Sequence, residues 1–200
     1  MKEKLFQLLK LIAFFFLIPI FIACTEAFLQ HSHDLPQGTI TYFWRGVIVL
    51  LIVHLFLIEV EPVYQLGRRI TSGLFRFTGP AAETMGSFFP IYMVVAVILY
   101  FGLKFFLKTS GVDDYILFLA GIAITLHMVY ASRDIRSNDT SGLSADYLFK
   151  IPLVYVVNIL ILAALFEIVF KDFSFVGFTK DFLSRSGEIY TSIFRQLFVP

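Results

Sequence analysis

An all-α integral membrane fold is what this sequence predicts, and three observations predict it. Hydrophobic residues make up 58% of the chain and charged residues only 16%; a soluble domain, which must solvate its surface, carries about one-quarter charged residues. Five apolar stretches each approach the roughly 20 residues that a helix needs to cross a bilayer. Lysine and arginine crowd into alternate connections between those stretches, the bias that marks the cytoplasmic side.

The first stretch covers residues 5–29. Lys2, Lys4 and Lys10 lead into the run Leu11–Ala23, which meets Cys24. A basic head, an apolar run and a cysteine also make up a lipoprotein leader, but Phe21 stands where leucine belongs, so the segment is read as an uncleaved helix. As the single cysteine of the chain, Cys24 excludes an intramolecular disulfide and a cysteine-cluster metal site. The second span covers 42–60, the third 88–107, the fourth 115–132 and the fifth 151–170. Polar or turn-forming segments such as His31–Gly38 and Lys108–Asp114 separate them. Inside lipid no water satisfies main-chain N–H and C=O groups, so runs of this length are predicted as helices.

Orientation follows from the basic residues. The N-terminal three lysines, Arg68, Arg69 and Arg76, and Arg133, Arg136 and Lys150 fall on one side; Arg45, Lys104 and Lys108 fall on the other. The N-terminus is therefore placed inside, at a bacterial cytoplasmic membrane. Five spans then leave the C-terminal tail outside, against its own Lys171, Lys180, Arg185 and Arg195.

Two further segments are amphipathic. In residues 63–77, Val63, Leu66, Ile70, Leu74 and Phe77 recur at helical spacing, with Arg68, Arg69, Ser72 and Arg76 largely elsewhere around the helix. In residues 178–198, Phe182, Ile189, Ile193 and Leu197 form a similar stripe beside Tyr190 and Phe194, with Gly187 as a point of interruption. Helices of this kind lie in the membrane interface or pack into a partner's groove. Phe182, Ile189, Ile193, Phe194 and Leu197 are the residues expected to dock a partner.

Ionisable groups inside a membrane are costly and are functional candidates for that reason. His54 and His127 lie at matching depths in spans two and four, which run in the same direction. Such a pair can supply both axial nitrogens of a b-type haem, or can simply hydrogen-bond across helices. Glu26, Arg45, Lys104 and Glu167 fall towards the outer ends of the spans, and Asn158 lies within span five. This polar set suits ion-paired helix packing, with a proton or ion path as the rival. Glu59 and Glu61 close span two and are expected to pair with Arg68 or Arg69 or to stand in water. His31, Ser32, His33 and Asp34 offer ligand types in one loop, but without the complementary cluster a zinc site needs. No zincin helix, nucleophile elbow or phosphate loop occurs in the sequence. The net charge of +1 provides no basic field for nucleic acid. Asn138-Asp139-Thr140 matches a glycosylation pattern on the cytoplasmic side, where it would go unused.

By elimination, the expected role is a non-catalytic subunit without a cofactor. It anchors, scaffolds or helps gate a larger envelope or transport complex, working with other membrane subunits or further copies of itself. Electron transfer through a haem on His54 and His127, and ion, proton or lipid transport, are the alternatives.

Overall fold

Each predicted span contains helix in the protein, but two of the five are broken. The computed structural model describes residues 2–35, 38–57, 59–79, 81–107, 111–137 and 144–198. All regular structure among the described residues is helical. Asn138–Thr140 and Lys108 lie outside them.

Helix α1 is a single element, Lys2–His33, longer than the predicted 5–29 because its polar ends continue the helix. The predicted 42–60 is instead α2, Thr39–Ile52, running into a π-helical turn at Val53–Leu57. Helix α3, Glu61–Leu74, follows with Pro62 in its first turn, where a missing N–H leaves no helix bond unmade. A 3-10 turn at Arg76–Thr78 completes the predicted amphipathic stretch.

The predicted 88–107 begins late. Pro90 offers no N–H and disfavours helical backbone at Phe89, so α4, Ala81–Phe88, and α5, Ile91–Leu107, meet at a 60° bend. Helices α6, Val112–Ser137, and α7, Ala145–Val169, overrun the predicted 115–132 and 151–170. For α7 the reason is a cap: the Ser144 hydroxyl accepts the Tyr147 N–H at 3.1 Å, satisfying a donor the helix start leaves open. Helix α8, Phe175–Phe198, passes through Gly187 without a break.

By length and composition α1, α6 and α7 are each able to cross a membrane; the total is five if each bent pair, α2 with α3 and α4 with α5, counts as one span.

The chain divides into two units, Met1–Asp34 with Arg136–Pro200, and Leu35–Ile135. In the first, α7 runs parallel to α1. Lys10 bonds Asp146, the Thr25 and Tyr155 hydroxyls meet at 3.0 Å, and the Phe28 and Phe166 rings lie 5.5 Å apart. Small side chains make the close approach possible: Ala23, Cys24, Ala27 and Ala163 are fully buried. Helix α8 then returns antiparallel along α1. Phe178 packs on Phe28, His31 bonds Asp181 at 2.9 Å, and Tyr190 bonds the Phe16 carbonyl.

In the second unit α2 and α6 cross at two glycines. A Cβ on Gly46 would stand 2.1 Å from the Phe118 carbonyl oxygen, and one on Gly121 would stand 2.1 Å from that of Phe43. Helix α3 is held from behind, where Gly67 admits Ile91 and Tyr92, and the Tyr92 hydroxyl bonds the Val63 carbonyl.

Candidate functional site

The second unit gathers its polar side chains around α6. One turn of α6 separates His127 from Tyr130, and another brings Asp134 onto the same face, the i, i+3, i+7 spacing of one helical stripe. Helix α3 matches it with Tyr64, Arg68 and Thr71, of which Tyr64 and Thr71 are buried. Arg68 Nη1 reaches Asp134 Oδ1 at 3.1 Å, and the Ser87 hydroxyl from α4 donates to Asp134 Oδ2 at 2.9 Å. Tyr64 stacks on Tyr130 with ring centroids 5.7 Å apart and lies 5.9 Å from His127. His54, from the π-helical turn, joins through Nδ1 to the Tyr130 hydroxyl at 3.0 Å.

The structure therefore brings the two predicted histidines into one cluster, each against a tyrosine ring. Tyr130 engages His54, and Tyr64 contacts both Tyr130 and His127. The main chain of Ser87 and Phe88 borders the His127 ring. Its buried Nε2 makes no hydrogen bond among the described residues. A haem iron needs both imidazoles to direct a nitrogen at one point; in this arrangement the His54 Nδ1 is engaged with the Tyr130 hydroxyl and the Tyr64 ring lies 5.9 Å from that of His127. The geometry instead joins α3, α4 and α6 by an ion pair, a hydroxyl and stacked rings. Tyr64, Tyr130, Ser87 and Asp134 were not singled out from sequence, because phenols and a lone carboxylate near a span end carry no motif.

The other predicted polar residues are not members of this cluster, and several of them form ion pairs. Glu26 faces Arg185 of α8 at 3.6 Å, and Arg185 also bonds Gln30. Lys104 pairs with Asp113 at 3.1 Å and sits over the Tyr100 ring. Arg45 lies over the Tyr42 ring at 5.1 Å. Asn158, fully buried, donates to the Val154 carbonyl at 2.7 Å, and Glu167 is exposed. Glu59 and Glu61 pair with Arg133, at 3.4 and 3.2 Å, rather than with Arg68 or Arg69. Arg68 is turned to the more buried Asp134, where an unpaired carboxylate would cost more. His31 is taken by Asp181 and the Ser32 hydroxyl by the Leu29 carbonyl.

Helix α8 presents two faces of different character. Its inner face holds Phe178 fully buried, with Phe182 and Ile189 half-buried. Towards its end, Tyr190, Ile193, Phe194, Leu197 and Phe198 stand off α1 and enclose an apolar groove of about 480 Å³ with Phe15, Phe16 and Pro19. The outer face carries Lys180, Ser184, Gly187, Glu188, Thr191 and Arg195, all exposed. These fall at i, i+4, i+7, i+8, i+11 and i+15, one polar stripe along the helix. The sequence had drawn attention to the apolar stripe; the polar one becomes informative only once α8 is seen lying along α1.

Comparison with protein-family models, with curated protein sequences and with solved structures finds no match.

Proposed function

We propose that this chain is a five-span, non-catalytic subunit of a membrane complex, docking through α8. Its α3 is an interfacial helix, and its N-terminus lies in the cytoplasm of a bacterial cell. One observation carries the reading: the second half of α8 packs beside Phe15, Phe16 and Pro19, in the middle of the most apolar run of α1. If α1 crosses a bilayer, that part of α8 lies at hydrocarbon depth. Its outward stripe would then set Glu188 against lipid, where a charge near the bilayer centre costs at least about 2.5–3.5 kcal/mol. A second membrane helix relieves that cost by supplying hydrogen-bond partners.

The stripe is shaped for such a neighbour. Gly187 has no atom within 4 Å of where a Cβ would stand, and small residues let helix backbones approach closely. Ser184 and Thr191 flank it, and Phe194 gives the contact an apolar edge. Anchoring or scaffolding follows from such a face, and gating follows if the partner shifts along it. The haem alternative would require Tyr64 and Tyr130 to leave the space beside the imidazoles. The transport alternative would need a polar path continuing beyond His127, towards Ile116 and Leu117, which are apolar and fully buried.

Photocrosslinking in native membranes tests the docking reading. A probe at Thr191 is expected to capture protein, and one at Ile98, exposed on α5, to capture lipid. Gly187→Leu is expected to abolish the Thr191 adduct without impairing membrane insertion. Lipid adducts alone at Thr191 would sink the proposal.

A further inference from the structure

We infer that α3 is a binding surface for anionic phospholipid headgroups, an assignment that rests on the membrane reading above. Three observations combine. Val63, Leu66, Ile70, Leu74 and Phe77 are all exposed, so the apolar stripe of α3 and its following turn is not part of the protein core. An adjacent face is committed to the protein, with Tyr64, Gly67 and Thr71 buried. Arg69 and Arg76, on the flank of the stripe, are exposed and form no ion pair among the described residues.

The neighbouring charges sharpen this. Arg68 is spent on Asp134, and Glu59 and Glu61 are both held by Arg133. Arg133 offsets only one of those two acids, at the start of α3, and Glu83 on α4 is exposed; Arg69 and Arg76 lie further along the stripe, each without an ion-pair partner among the described residues, and are the guanidinium groups left to meet phosphate. An apolar face flanked by cations suits a leaflet of anionic lipid: the side chains enter the acyl region and the guanidiniums meet phosphates. Guanidinium also matches phosphate geometry in a two-pronged hydrogen bond. A soluble protein partner would satisfy the apolar stripe but gives no account of the two unpaired arginines beside it. Because α3 is pinned from behind by Tyr92, Asp134 and the Tyr130 ring, the surface is presented ready-made rather than folding on contact.

The test uses the full chain with Cys24→Ser, reconstituted in nanodiscs of phosphatidylcholine alone or mixed with phosphatidylglycerol. A fluorophore goes on Leu66→Cys, and a reference on Ile98→Cys of α5. Quenchers attached high on the acyl chains should reach the Leu66 label, and phosphatidylglycerol should be enriched around the protein. Each cation near an anionic surface gives about a five-fold preference, so Arg69→Gln with Arg76→Gln should lower the enrichment five-fold or more. Equal lipid preference in wild type and double variant overturns the inference. So does a Leu66 label in water, or shielded by protein, while the Ile98 label is in lipid. Both labels in water would instead overturn the membrane reading itself.

Discussion

Glycine serves opposite ends at three positions. At Gly46 and Gly121 the helices α2 and α6 come so close that an added Cβ would stand 2.1 Å from a carbonyl oxygen of the other helix. Main chain cannot step aside as a flexible side chain does, so Gly121→Ala is expected to cost about 1–3 kcal/mol. At Gly187 nothing stands within 4 Å, and alanine there removes only unfolded-state freedom, a gain of about 0.4–1 kcal/mol. Thermal unfolding of the two variants in the same detergent should move in opposite directions; no loss at Gly121→Ala would refute the packing of α2 on α6, and a loss at Gly187→Ala would refute the open space at Gly187. Arg68→Ala belongs to the same scale. It strands Asp134, whose side chain is 11% exposed, with Ser87 as a remaining donor. A loss of about 1–3 kcal/mol is expected, largely recovered by Asp134→Asn in the same chain, where no charge is left to strand.

Elements were far more legible in the sequence than the contacts between them. Hydropathy located the apolar helices because lipid would impose one physical requirement on each residue independently. Pro62 and Pro90 were visible, but whether Pro90 kinks a helix or starts one depends on what receives Phe89, and so the division into α4 and α5 was missed. The matched depth of His54 and His127 was legible from counting residues; the two tyrosine rings near them were not, since Tyr64 arrives from a helix whose docking is decided by Gly67, Tyr92 and Asp134. For α8 the sequence showed amphipathicity but not direction. Its course is fixed by Phe178, fully buried among Phe28, Phe173 and Phe182. Phe178→Ala should cost about 3–5 kcal/mol and loosen α8 from α1, seen as faster proteolysis at Lys180 and Arg185. Phe194→Ala, in the same helix but 61% exposed, should leave proteolysis unchanged while weakening the proposed complex. Equal effects at both sites would mean that α8 is not anchored where the structure has it.

Topology at the scale of the whole chain follows from a parity argument. Helices α1 and α7 lie side by side and parallel, so if both cross a bilayer, the chain leaves α1 on one side and must enter α7 from the other. The intervening residues therefore cross an odd number of times. If α6 is one crossing, the two bent pairs either both cross or both stay on one side, so α1 to α7 make three crossings or five, and the passage of α8 back along α1 is additional to that count. Five is the reading proposed for α1 to α7, because α2 with its π-helical turn and α5 are each predominantly apolar. The tail is then decided by α8 rather than by the count of apolar spans. Five spans alone leave residues 171–200 outside, in conflict with their four basic residues. An α8 that runs back along α1 carries Arg195 towards the end of α1 that bears Lys2, Lys4 and Lys10, and the conflict disappears. In a Cys24→Ser chain, Lys4→Cys and Gln196→Cys should therefore react with an impermeant maleimide from the same side of sealed vesicles, and Asp172→Cys from the opposite side. Labelling of Gln196→Cys and Asp172→Cys from one side would leave α8 outside the bilayer, and with it would fall the argument that its polar stripe needs a membrane partner.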